Sequence, residues 1–102
     1  MYRAGAERDE AETLAALDRV ATRLELRPEA RSVAQELFLS QLPVESRSKD
    51  ALLASSIYAG ALIAGDQRSQ VAVAEAAGVS RLTIQGRWRE LLDAVGLEPP
   101  EW

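Results

Sequence analysis

SQVAVAEAAGVSRLTIQGRWRELL, residues 69–92, reads as two short helices joined by a tight turn. The first is predicted over Gln70–Ala77. Ser69 stands where its hydroxyl can accept a hydrogen bond from an otherwise unpaired N–H of the first turn. Gly78 stands where a helix end needs a left-handed residue, a conformation glycine adopts without steric penalty. Val79 fills the corner, Ser80 is the next candidate cap, and a second helix starts at Arg81. Ala74, four residues before Gly78, is small where a bulky side chain would push the helices apart. This is the spacing of a helix-turn-helix.

At about 100° per residue, Ile84, Trp88, Leu91 and Val95 share one face of the second helix, with Leu92 at its border. That face is expected to pack on the body of the protein. Leu82, Gly86 and Arg89 lie opposite, Gln85 beside them, and Arg81 and Thr83 in the first turn. A glycine inside a helix costs roughly 0.5–1 kcal/mol relative to alanine. On an exposed face Gly86 is tolerable because it lets another backbone approach. Arginine and glutamine can contact guanine and adenine edges in bidentate fashion, and an exposed leucine can meet a thymine methyl. The polar side therefore suits a DNA groove. An ordinary terminal hairpin with a solvated polar face is the alternative.

The chain has 102 residues and 47% apolar composition, enough for one domain with one core. It has no cysteine and no histidine, which excludes disulfides, Cys/His zinc sites, thiol nucleophiles and histidine bases together. The net charge is −4 and the pI about 4.8, against the basic character usual for a nucleic-acid-binding domain. Lys49 is the single lysine; the other basic residues are arginines. With many acids and alanines, this suggests a GC-rich, salt-adapted (halophilic) source. In high salt, phosphate attraction is screened and counterion release contributes little, so an acidic DNA binder is less odd. The charged start MYRAGAERDE lacks the apolar run of a signal peptide. The uncharged stretch from Ala51 to Ala64 is shorter than the ~20 residues of a membrane span. A cytoplasmic protein with no membrane partner is expected.

In chain order, residues 1–8 are expected as a flexible lead-in, and a first helix over Asp9–Leu24 carries the stripe Leu14, Leu17, Val20, Ala21 and Leu24. Arg19 and Arg23 fall on its wet side. Leu26-Arg27-Pro28 breaks it, because proline disfavours helix at the preceding residue and suits the first turn of the next. The second helix is predicted over Pro28–Gln41, with Ala30, Val33, Ala34, Leu37 and Phe38 buried. Ser46 or Ser48 then caps a third helix over Lys49–Ala64. Leu52, Leu53, Ser56, Ile57, Tyr58, Leu62 and Ile63 cover it nearly all round, so it is expected to be buried on every side. Ala54, Ser55, Ala59, Gly60 and Ala61 let its neighbours come close. Gly65-Asp66 stops it. After Gly96, Glu98-Pro99-Pro100 ends helical structure, and Trp102 is a tail or a lid on the core. The single domain is placed at residues 9–97 and a tail at 98–102.

Three stretches together resemble the cyclin-like repeat of transcription factor IIB and its archaeal counterpart, transcription factor B. They are LDRVATRLEL at 17–26, RSKDALLASSIYAGALIAGD at 47–66 and RSQVAVAEAAGVSRLTIQGRWREL at 68–91. The likeness is to the second, C-terminal repeat of that family and covers about Leu14 to Leu97. It implies an all-α, five-helix cyclin-like domain with the third helix central and a C-terminal helix-turn-helix. It also implies that the last helix enters the major groove of promoter DNA and reads the B recognition element beside the TATA box. The TATA-binding protein or other transcription machinery would be a protein partner. The positions that reach base edges in the family fall on Leu82 and Gln85. Arginine is common at the second, so Gln85 leaves open whether guanine or adenine is preferred. Gly86 and Arg87 replace larger polar residues common in the family. A zinc ribbon and a second repeat have no counterpart here, and the opening Met1 favours a small stand-alone regulator over an excised domain.

The expected function is therefore DNA binding in transcription, without enzymatic activity or cofactor. The candidate contacts are Arg68, Ser69, Gln70, Arg81, Leu82, Thr83, Gln85, Gly86 and Arg89. Arg81 and Arg89 are read as phosphate contacts, which set register without reading sequence. Arg68, Ser69 and Gln70 open a helix whose N-terminal amides suit a phosphate. The competing reading is a cyclin-like adaptor that binds a protein, with Leu82 as its apolar anchor. An enzyme is disfavoured. Glu7, Asp9, Glu10 and Glu12 read as a solvated acidic run at a helix start. Ser46, Ser48, Ser55 and Ser56 have no histidine to activate them.

Overall fold

The computed structural model describes residues 4–97, and the side chains of residues 11–97 other than Ser46. The elements are α1 (Ala4–Arg23), α2 (Pro28–Ser40), a 3-10 turn at Ser46–Ser48, α3 (Lys49–Ile63), α4 (Gln70–Ala77), α5 (Arg81–Gln85) and α6 (Trp88–Ala94). Among the described residues there is no strand. The all-helical fold, with a central third helix, is the one the sequence predicts.

α3 organises the core. Leu52 through Leu62 are buried without interruption, as an all-round apolar helix requires. α1, α2 and the helices from α4 onward all contact it. Its tightest neighbour is α2, and the reason is Gly60. A Cβ built there would lie 2.7 Å from the backbone nitrogen of Ala34 and 2.8 Å from its Cα. Glycine facing alanine thus lets two helix backbones touch, and Phe38 and Leu37 close the seam one turn on. On α1, Leu17, Val20 and Ala21 are buried and Leu14 and Leu24 are packed at the margin, so the predicted stripe faces inward.

The helix ends and caps differ from expectation in several places. α1 begins at Ala4 rather than Asp9, consistent with the helix-forming alanines and acids of its first turns. It ends through Glu25, whose φ of 56° is left-handed without being glycine. Ser48 occupies the position before α3, but its hydroxyl makes no capping bond, and a 3-10 turn leads into the helix instead. The predicted last helix is divided. Gly86 ends α5, Arg87 leaves helical geometry at φ −125°, ψ −26°, and α6 restarts at Trp88. Arg87 N–H bonds to the Ile84 carbonyl, three residues back, so the helix tightens before it breaks. Residues 98–102, with the expected Trp102 tail, lie outside the described residues.

The turns are tied to each other by one carboxylate. Asp66, after α3, accepts from the Arg27 backbone N–H at 2.9 Å and from Arg68 Nη1 at 2.8 Å. These bonds, the Arg27 amide first, hold its carboxyl below the usual aspartate range. The α1–α2 turn and the α3–α4 turn are thereby fastened together.

Candidate nucleic-acid interface

The α4–turn–α5 unit forms as its local signals dictate. Ser69 Oγ accepts from Ala72 N–H at 3.0 Å, and Gly78 takes φ 74° at the end of α4. Ser80 Oγ accepts from Thr83 N–H at 3.3 Å and opens α5. Val79 packs against the core between the two.

One side of α5 and α6 is anchored. Ile84 and Leu92 are fully buried, and Leu91 nearly so. Trp88 is 7% exposed and meets Tyr58 of α3 edge-on, with ring centroids 5.4 Å apart. Such a contact adds about 0.5–1.5 kcal/mol to the area it buries. The other side is open. Leu82 is 67% exposed, and Arg81, Gln85, Gly86, Arg87 and Arg89 are all exposed.

Within that open side the predicted residues do different things. Arg81 Nη1 donates to Gln85 Oε1 at 2.7 Å, joining two residues one turn apart. Thr83 is half-buried, and its hydroxyl shares a 3.0 Å hydrogen bond with Ser80. Arg89 lies over the Trp88 ring at 4.9 Å, a cation–π contact that holds its guanidinium at the rim. A Cβ at Gly86 would meet only the Leu82 carbonyl, at 3.4 Å. Gly86 thus marks a joint, and no backbone approaches it here.

Arg68 is placed differently from the rest. Its Nε donates to the Leu24 carbonyl at 3.0 Å, Nη2 to the Glu25 carbonyl at 3.2 Å, and Nη1 to Asp66. It closes the C-terminal carbonyls of α1 and leaves little guanidinium for an outside phosphate. Ser69 is exposed but engaged as a cap, and Gln70 is half-buried at the start of α4. Two further residues, not among the candidates, are exposed in this unit. Arg87 makes no side-chain hydrogen bond or ion pair among the described residues. Val71, in the first turn of α4, is 52% exposed. Helical phase gives no signal for Val71, which stands three residues before buried Ala74 and so shares its side of the helix.

Charge is unevenly distributed. Residues 76–89 contain Arg81, Arg87 and Arg89 and no carboxylate, in a chain of net charge −4. An anionic partner is favoured here and disfavoured over most of the remaining surface. Among the described residues no group of acidic side chains could hold a metal ion, and no helix is long and apolar enough to cross a membrane.

Comparison with known proteins shows the family. The family model of the transcription factor TFIIB repeat matches residues 6–94. A transcription initiation factor IIB of Haloarcula vallismortis is 33% identical over 82 residues, covering 78% of this chain and 72% of that protein. Transcription initiation factor IIB 1 of Thermoplasma volcanium is 33% identical over 84 residues, 79% of this chain and 27% of the relative. A transcription initiation factor IIB of Pyrococcus horikoshii is 31% identical over 75 residues, 74% of this chain and 25% of the relative. The chain belongs to the transcription factor IIB repeat family, a family of transcription factors and not of enzymes. It spans about a quarter of the length of the Thermoplasma and Pyrococcus relatives.

Proposed function

We propose that this repeat binds promoter DNA during transcription initiation, laying the open side of α5 and the start of α6 against the major groove. One observation carries the reading. An acid-free, arginine-bearing strip is exposed on a helix pair whose opposite side is locked by Trp88 on Tyr58. In helix-turn-helix proteins, the N-terminal residues of the second helix reach the base edges. Arg81, Leu82 and Gln85 occupy those positions, with Thr83 shaping the first turn. Arg87 and Arg89 flank them and suit phosphates. Ser69 and Gln70, at the start of α4, suit a backbone contact through their main-chain amides. The family membership supports a place beside the TATA-binding protein, and the segregated charge supports DNA as the ligand.

Mobility-shift titrations of promoter duplexes at several salt concentrations test this. Binding should weaken as salt rises. Arg89→Ala and Arg87→Ala should each weaken binding to every sequence alike and lower the salt slope by about one. If both variants match the parent at every salt concentration, this side is not the DNA surface. A protein-binding adaptor is the second reading, favoured by exposed Val71 and Leu82 at the starts of consecutive helices. That interface would hold in high salt and fail on Leu82→Ser.

A further inference from the structure

We infer that Arg81 and Gln85 act as one unit that selects guanine, with Arg81 as the reader and Gln85 as its positioning residue. This rests on the DNA-binding reading and specifies the base class at that same site. The observation is the 2.7 Å hydrogen bond from Arg81 Nη1 to Gln85 Oε1 between two exposed side chains.

Only an oxygen can accept from a guanidinium, so the bond orients the amide. Gln85 Oε1 faces the Arg81 cation, and its Nε2 hydrogens point away from it. A glutamine that reads adenine uses both ends: Nε2 donates to N7 and Oε1 accepts from the N6 amino group. Here one of the two lone pairs at the accepting end already faces a charged donor. Guanine shows two acceptors in the major groove, N7 and O6, and asks only for donors. The pair's free donors, on Arg81 Nε and Nη2 and on Gln85 Nε2, outnumber the one acceptor lone pair left on Gln85 Oε1. The bond also holds the guanidinium before DNA arrives, which lowers the ordering cost of a planar bidentate contact.

The neighbours leave this unit unopposed. Thr83 has its hydroxyl on Ser80, and Gly86 has no side chain. No carboxylate lies between residues 76 and 89 to draw Arg81 away. Leu82 projects between the two residues in sequence and is 67% exposed, suited to a methyl group rather than a polar edge. Glutamine at position 85 therefore does not by itself signal adenine.

The test is binding-site selection with the full chain on a random duplex library, followed by affinities for guanine and adenine versions of the selected site. The parent should enrich guanine at one position, by about tenfold or more over adenine. Arg81→Ala should collapse that ratio towards one. Gln85→Ala should reduce the ratio without reversing it. Gln85→Glu should keep the guanine preference while weakening binding to all sequences. Both residues are exposed, so unchanged melting temperatures will show that the variants fold. An adenine preference that Gln85→Ala abolishes and Arg81→Ala leaves alone overturns the inference. If that occurs while Arg89→Ala still weakens binding, the DNA reading stands and only the base assignment falls. If the parent binds no duplex in a salt-dependent way, the groove reading fails and the inference fails with it.

Discussion

Gly60 and Gly86 look alike in sequence, each a glycine inside a helical pattern, yet they mark opposite kinds of region. Gly60 sits in the α2–α3 seam, where a single added carbon would strike the Ala34 backbone. Gly86 sits at the α5–α6 joint, where the same carbon would meet one carbonyl at ordinary contact distance and otherwise solvent. The first glycine is there for what it lets approach. The second is where the helix breaks, so that Trp88 can seat on Tyr58 while Arg81, Leu82 and Gln85 stay outside. The seam is rigid and closed. The joint is open and carries the groups suited to a ligand.

Substituting each glycine by alanine is the direct way to break this comparison. Gly60→Ala should destabilise by about 1–3 kcal/mol, the usual range for overpacking where backbone must move, read as a lowered midpoint in urea. A variant as stable as the parent would mean the seam yields more easily than its geometry implies. Asp66 probes the ties between turns and should have an intermediate effect. Its folded carboxyl titrates below the ordinary aspartate value, so its contribution is full above that value and disappears as pH falls through the lower, folded one. The melting temperature should drop on acidification below about pH 4, and Asp66→Asn should flatten that part of the profile. An unchanged profile would detach Asp66 from the architecture. The smallest effect is expected at the joint. Gly86→Ala, at φ −80°, should change stability by less than about 1 kcal/mol and in the favourable direction, because it restricts only the unfolded chain. A large loss there would place hidden contacts at the joint.

Much of the fold was legible because its signals are local. The caps Ser69 and Ser80, left-handed Gly78 and proline at Pro28 each act within a few residues, and each sits where expected. The uninterrupted apolar run in α3 forced it to the centre. The site was legible in its faces: Ile84, Trp88, Leu91 and Leu92 inward, and Leu82, Gln85 and Arg89 outward. The roles of the arginines were not. Arg68 and Arg81 both precede a helix or begin one. Arg68 closes α1 through carbonyls more than forty residues away in the chain, while Arg81 reaches only to its own helix. Glu25 in a left-handed turn was hidden for a similar reason, since Arg68 and the Leu26–Ala21 hydrogen bond steady a conformation that its side chain does not favour.

By itself the sequence determined the helical class, the central helix and the side of α5 that faces out, because periodicity and capping are properties of neighbouring residues. Tertiary structure alone decided where the last helix divides, which arginine stays free for a partner, and how closely α2 and α3 approach. Each of these depends on atoms from distant segments meeting: Tyr58 drawing Trp88 inward, the Leu24 and Glu25 carbonyls engaging Arg68, and the Ala34 backbone resting on Gly60.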